Sequence, residues 1–158
     1  MKQATLMFLV DGGKVLLAMK KRGFGVGRWN GVGGKVKDDE SIEEAAIREC
    51  QEEIIVTPVN LTKAAVINFY FPKEKSDWNQ EVTTYLCNKW SGEPAETEEM
   101  SPKWFDINKI PFKDMWASDK YWLSKALKGD FIKADIYFDD NDQVIKQRIL
   151  ATARANEI

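Results

Sequence analysis

The chain has 158 residues, 44% of them hydrophobic and 30% charged, enough for one globular domain (1–158) with a buried core. A net charge of −2 argues against a general nucleic-acid binder, which carries a basic face. No histidine and only two cysteines, Cys50 and Cys87, exclude a histidine triad, a zinc site of the usual ligand types and a disulfide framework, and they suit a reducing cytoplasm.

Residues Thr5 to Val10 read as a strand, Asp11-Gly12-Gly13 as a turn and Lys14 to Met19 as the second strand of a hairpin. The apolar run from Ala4 to Val10 sits behind Lys2 but is short, and no small-residue cleavage site follows it, so a strand fits better than a signal segment. No run approaches the roughly 20 apolar residues that span a bilayer. From Lys20 to Gly31 the chain mixes cations, glycines and the aromatics Phe24 and Trp29. Glycine-rich backbone beside basic side chains can approach phosphate closely, although such a segment alone is equally an ordinary loop.

Gly33 to Val56 carries six glutamates: Glu40, Glu43, Glu44, Glu49, Glu52 and Glu53. Ser41 followed three residues later by Glu44 is a capping box and predicts a helix starting near Ser41. Ile42, Ala46, Cys50 and Ile54 give its buried stripe at 3.6 residues per turn. Glu49 and Glu53, four apart, point along the inner edge of that stripe, while Glu44 and Gln51 face away. Carboxylates held together beside apolar surface repel and resist desolvation unless something positive lies between them. With hard oxygen ligands only, magnesium is the expected cation and manganese a substitute.

Gly34, five residues, Glu40, seven residues, Arg48-Glu49, two residues and Glu52-Glu53 together resemble the signature of the Nudix (MutT-like) hydrolases. The resemblance implies an α/β fold, an α/β/α sandwich around a central mixed β-sheet. It implies metal ligation by Glu49 and Glu53, with Glu52 as a further ligand or base and the Gly33 carbonyl as a backbone ligand. By the same resemblance Arg48 orients the glutamates and Glu40 bonds within the loop. Two positions depart from the pattern. Cys50 stands where a large aliphatic residue is usual and can act as a small buried hydrophobe. Ile55 stands where a glycine closes the helix, and a β-branched residue resists the positive φ that glycine accepts, so a locally different helix exit is expected.

Val59 to Phe71 follows as a strand with Phe69 and Phe71 on one face, toward a base pocket, then Pro72 to Gln80 as a polar loop. Glu81 to Trp90 is a strand ending at the Ser91-Gly92 turn, and Glu93 to Met100 is an acidic loop, in which the resemblance places a further metal ligand or base at Glu99. Lys103 to Asp106 is a short strand, Pro111 opens a loop, and Ser118 to Lys128 is a second helix stopped by Gly129. Phe131 to Phe138 alternates as a half-buried strand. Asp139 to Asp142 is a turn, without the glycine and glutamate spacing of a calcium loop. Gln143 to Leu150 completes a hairpin, and Ala151 to Ile158 reads as a frayed tail.

Two further blocks, MKKRGFGVGRWNGVGGK (Met19 to Lys35) and IPFKDMW (Ile110 to Trp116) with Asp119 and Tyr121-Trp122, are similar to the animal-type branch of that family that cleaves oxidised purine nucleoside triphosphates. This resemblance implies a base pocket with Trp116 against one face, Phe24 nearby, and Asn30 and Asp119 reading the polar edge. Ser118 stands where that branch has another aspartate, which bears on tolerance for several oxidised purines. Lys20 and Lys35 are candidates for holding phosphate oxygens, Lys20 equally for the base pocket, and Trp122 is read as core. The implied activity is magnesium-dependent hydrolysis of 8-oxo-dGTP-type nucleotides to monophosphate and diphosphate, a sanitising of the nucleotide pool. The alternatives are another nucleoside diphosphate derivative, such as an ordinary dNTP or a nucleotide sugar, and a non-catalytic sensor. The expectation is a cytoplasmic monomer whose partner is a small-molecule nucleotide, with neither nucleic acid nor membrane.

Overall fold

The computed structural model describes residues 1–154. In chain order it contains β1 (Lys2–Asp11), β2 (Lys14–Lys20), β3 (Trp29–Asn30), α1 (Ile42–Ile54), β4 (Thr57–Pro58), β5 (Thr62–Tyr70), β6 (Gln80–Cys87), β7 (Trp90–Ser91), β8 (Met100–Asp106), α2 (Leu123–Leu127), β9 (Asp130–Phe138) and β10 (Val144–Ala153). The main sheet runs β10-β9-β5-β6-β1-β2-β3, with β8 also on β2. It is mixed: β1 pairs β6 in parallel and β5 pairs β9 in parallel, the other pairings being antiparallel.

Strand β1 organises both layers. Successive side chains on a strand point to opposite faces. Ala4 and Phe8 enter one core with Trp122, Leu123 and Ala126 from the α2 side, while Met7 and Leu9 enter the other with Ala46, Cys50 and Ile54 of α1. The two helical segments therefore cover opposite faces, which is the sandwich expected from the sequence. The small side chains Ala45, Ala46 and Cys50, all fully buried, let α1 lie close to the sheet.

The edge of β1 is shared in an informative way. Its antiparallel pairing with β2 is limited to Val10 with Val15 and Asp11 with Lys14, so the predicted hairpin forms and then splays. Farther back, Val32 to Val36 lies along β1: Met7 N donates to Val32 O (2.6 Å), Val32 N to Met7 O (2.9 Å), Thr5 N to Gly34 O (2.9 Å) and Val36 N to Gln3 O (2.9 Å). Within that stretch a Cβ on Gly33 would stand 1.7 Å from the Thr5 carbonyl oxygen, so only glycine fits. The loop leading into α1 is thus fastened to the central strand by main-chain bonds.

Several expectations change. The strand read as Val59 to Phe71 shortens to β5, with the brief β4 lying just before it, and the strand read to Trp90 stops at Cys87, with Trp90–Ser91 pairing β4 instead. Lys73–Trp78, read as a loop, forms a 3-10 turn. The helix read over Ser118 to Lys128 is broken: a 3-10 turn covers Asp119–Tyr121 and α2 only Leu123–Leu127. Trp122 between them has φ −134° and ψ −31°, with its indole fully buried edge-on to Phe8, centroids 6.3 Å apart. Seating that ring outweighs continuing the helix. The tail reading is corrected for Ala151 to Ala153, which belong to β10, where Arg154 Nη1 also donates to the Ala126 carbonyl (2.9 Å). The rest of that reading, 155–158, lies outside the described residues.

Helix α1 begins as its sequence predicts, with both hydrogen bonds of the capping box present at Ser41 and Glu44. Its exit does not differ as expected. Ile55 takes the left-handed conformation itself, φ 62° and ψ 35°, where a glycine would rest without strain. The position is 56% exposed, so no packing of the side chain explains it.

Candidate active site

Arg48 sets the geometry of the acidic helix edge. Its guanidinium donates to Glu40 through Nε (2.9 Å) and Nη2 (2.6 Å), to Glu49 (2.9 Å) and Glu52 (3.2 Å) through Nη1, and to the Lys35 carbonyl through Nη2 (3.1 Å). All five guanidinium donors are matched by five acceptors, a planar fork that lysine could not reproduce. The Arg48 hydrogen bonds, aided by the Lys37 backbone N–H, hold the Glu40 carboxyl down to about 2. The same bonds raise Arg48 above its already high ordinary value.

Glu53 has no such cation in contact. It is 3% exposed, and its Oε2 is buried without a hydrogen-bond partner among the described residues. Burial pushes its pKa far above the usual carboxylate range, and the Glu49 carboxyl beside it adds to the rise, while Lys20 opposes it. Glu49 lies against Gly34, where any Cβ would meet its Oε1 at 2.6 Å. The acidic loop is tied to this corner by Thr97 Oγ1 donating to the Glu53 carbonyl (2.8 Å) and Lys21 N donating to the Glu99 carbonyl (2.9 Å). Glu99 itself is exposed, 3.5 Å from Arg22 Nη2, and near enough to raise Glu53 further.

Two neighbouring carboxyls, one with an orphaned buried oxygen, fit a hard divalent cation. Among the described residues the Gly33 carbonyl accepts no hydrogen bond. Nor do any three acidic side chains there converge into a closed cage. Glu52 is 55% exposed and held by Arg48, so the built part of the site is the Glu49–Glu53 pair. Such a half-open donor set leaves positions for water and phosphate.

Next to this corner lies a cavity of about 130 Å³. Trp116, Phe69, Phe71 and Phe138 give its aromatic wall, with Phe24 from the glycine-rich loop. Phe24 stacks on Trp116 with centroids 5.2 Å apart at 28°, and Phe71 meets Trp116 edge-on at 6.1 Å. A base between Phe24 and Trp116 would need about 7 Å, two van der Waals contacts. A base seated on the indole therefore displaces the Phe24 ring or uses the other face. Two polar atoms on this wall stand out: among the described residues Ser118 Oγ and Asp119 Oδ2 are buried without partners. Asn30 Oδ1 accepts from Gly31 N (2.8 Å), which leaves the Asn30 amide N–H groups as donors. Burial pushes Asp119 up to about 7, opposed by the neighbouring indole N–H of Trp122.

The structure thus brings Phe24, Asn30, Phe69, Trp116, Ser118, Asp119 and Lys20 to one cavity, and Arg48, Glu49, Glu52, Glu53 and Gly33 to the corner beside it. Lys20 lines the cavity and also acts on Glu53, so it belongs to both readings. Lys35 lies on a separate, adjoining hollow. Sequence reasoning missed Arg28, whose guanidinium lies 4.1 Å from the Trp116 ring centroid and pairs with Asp142 at 3.0 Å. It also missed Thr5, Gln80 and Phe138 on the cavity wall. For Phe138 the alternation of its strand carried a signal; for Arg28 and Asp142, 114 residues apart, none existed.

Comparison with known proteins gives consistent matches. The model of the NUDIX domain matches residues 1–126. An oxidized purine nucleoside triphosphate hydrolase of Danio rerio is 43% identical over 148 residues, 94% of this chain and 94% of that protein. Its counterpart of the same name from Mus musculus is 40% identical over 141 residues, 89% of each chain. Among solved structures, the MutT protein from Bacillus halodurans superposes with a TM-score of 0.81 at 24% identity, covering 94% of this chain and 97% of that one.

Proposed function

This chain belongs to the Nudix family, and from that premise we propose that it hydrolyses oxidised purine nucleoside triphosphates of the 8-oxo-dGTP type, releasing nucleoside monophosphate and diphosphate. The observation that carries the substrate is the cavity beside the acidic helix, aromatic on its walls, holding Ser118 Oγ and Asp119 Oδ2 without partners among the described residues and the Asn30 amide as a donor. A flat heterocycle stacks on the rings, and its polar edge supplies the missing partners. Oxidation at C8 turns purine N7 from an acceptor into a donor and adds a carbonyl, which suits an acceptor and a donor side by side. Ser118 can donate and accept but cannot share a proton as a second carboxyl would, so the range is narrower than for an aspartate pair.

Glu49 and Glu53, joined by Glu52, Glu99 and the Gly33 carbonyl, are the residues that would hold magnesium. Bound there, the ion neutralises charge on the phosphates and lowers the pKa of water. The remaining work falls to the chain. Arg48 fixes the Glu49 and Glu52 carboxylates. Lys20 and Lys35 attract phosphate oxygens. A glutamate of the Glu52–Glu53 pair accepts the proton of the attacking water, since no histidine exists to do so. The protein acts as a monomer in the cytoplasm, and clearing damaged precursors there keeps them out of DNA.

The test is a panel of 8-oxo-dGTP, 2-hydroxy-dATP, dGTP and ADP-ribose with magnesium, products identified by mass spectrometry. The expected result is preferential cleavage of 8-oxo-dGTP to 8-oxo-dGMP and diphosphate, with 2-hydroxy-dATP a weaker substrate. Equal cleavage of dGTP would remove the sanitising role, and no cleavage of any compound would leave a sensor.

A further inference from the structure

The base cavity does not end at Phe24. Ala4, Lys20, Phe24, Gly34 and Gln80 also line a second hollow of about 230 Å³. Its far side is made by Lys2, Lys35, Asp77 and Trp78. Lys2 and Trp78 have no part in the reaction described above.

The 3-10 turn Lys73–Trp78 is held in place from three directions. Phe71 N donates to Asn79 Oδ1 (2.7 Å), Lys2 Nζ to the Asp77 carbonyl (3.0 Å) and Lys75 Nζ to the Asp140 carbonyl (3.0 Å). Trp78 packs edge-on against Phe24 (5.2 Å) and Phe71 (5.5 Å), yet 40% of it stays exposed. A large apolar ring anchored beside a lysine-lined hollow is a wall awaiting a ligand more than a core residue. The charge points the same way: three lysines face one carboxylate, and none of Glu49, Glu52, Glu53 or Glu99 lines this hollow. Lys2 uses one of its three ammonium donors on the Asp77 carbonyl and keeps two.

We propose that this hollow is a second anion subsite of the same active site. It binds a phosphate group that the nucleotide carries in addition to those handled at Glu49 and Glu53, with Trp78 lying against the sugar or substituent that bears it. The proposal rests on the nucleotide-hydrolase reading and extends its substrate class. A 3′-phosphate on the sugar and a fourth phosphate on the 5′ chain both supply this chemistry.

Calorimetry in EDTA, which prevents turnover, tests it with the full chain. 8-Oxo-2′-deoxyguanosine 3′,5′-bisphosphate is compared with 8-oxo-dGMP, and 8-oxo-2′-deoxyguanosine 5′-tetraphosphate with 8-oxo-dGTP. One extended ligand is expected to bind about fivefold more tightly than its reference, the upper end for a partly exposed ion pair. Which of the two gains identifies the source of the phosphate. Lys2→Gln and Trp78→Ala should each remove that gain while leaving the reference affinities unchanged. Lys2→Gln, at an exposed position, guards against a loosened turn in Trp78→Ala. No gain for either extended ligand, or a gain that survives both substitutions, overturns the subsite while the hydrolase reading stands. If the reference nucleotides themselves fail to bind, the nucleotide reading falls and takes the subsite with it.

Discussion

The acidic helix edge and the aromatic cavity are neighbours built on opposite plans. The helix edge comes from one contiguous stretch, Gly33 to Glu53, in which α-helical periodicity alone aligns Glu49 with Glu53 and sets Arg48 among four acceptor groups. The cavity is assembled from seven separate stretches of chain, and its rings meet only after the sheet has formed. Their electrostatics differ too. At the helix edge most charges are answered within the protein, leaving Glu53 as the exception; in the cavity Ser118 Oγ and Asp119 Oδ2 have no partner among the described residues. The acidic edge is encoded locally here, and the aromatic cavity is encoded by tertiary structure.

The contrast makes separable predictions. Substituting Glu53→Gln should cut kcat by about 10²–10⁴-fold, the usual contribution of a proton-transferring group, and leave nucleotide affinity nearly intact. Comparable losses in binding and turnover, read by calorimetry and initial rates, would show that the two regions do not divide the labour. Trp116→Ala should do the reverse, weakening nucleotide binding by about 1–3 kcal/mol through lost stacking. An unchanged dissociation constant would move the base elsewhere.

A smaller effect sharpens the cavity side. Asp119 is raised from the usual 3.8 to about 7 by burial. Between those values the folded chain holds a proton that the unfolded chain has released, so this group's contribution to stability falls as pH rises from about 4 to about 7 and is fully present only below that window. Asp119→Asn removes the titration. The Tm of the parent minus that of the variant, measured in EDTA, should therefore decline across the window; a flat difference contradicts the buried, proton-holding carboxyl. The smallest effect belongs to the end of α1. Left-handed φ costs an ordinary residue about 1–2 kcal/mol, and glycine gives back about 0.5–1 kcal/mol in backbone entropy. Ile55→Gly should then raise stability by about 1 kcal/mol or less in urea titrations, whereas a loss would mean the exposed side chain contributes more than its surroundings show.

What the sequence disclosed follows the same division. The capping box at Ser41, the inward Glu49 and Glu53, the β1–β2 turn and the alternation of β9 all depend on residues within a few positions of each other, and each was legible. The break at Trp122 was not, because helix propensity at Ser118 to Lys128 says nothing about the room beneath Phe8 that takes the indole. Nor was the contact of Arg28 with Trp116 and Asp142, which joins three distant segments. At Ile55 the local rule was sound and its application was misleading. The rule identified a conformational cost correctly, but the backbone bears that cost instead of rerouting, with Val56 N donating to Cys50 O (3.3 Å) to close the turn.

The lacing of Val32 to Val36 along β1 has an engineering consequence. Because the bonds to β1 join main-chain atoms, outward-facing side chains in that strip can be exchanged to retune charge beside the acidic corner without shifting where the glutamates stand. The exceptions are Gly33 and Gly34, whose missing side chains leave room for the Thr5 carbonyl and the Glu49 carboxylate. A redesign of this enzyme has latitude beside its acidic corner and two forbidden letters within it.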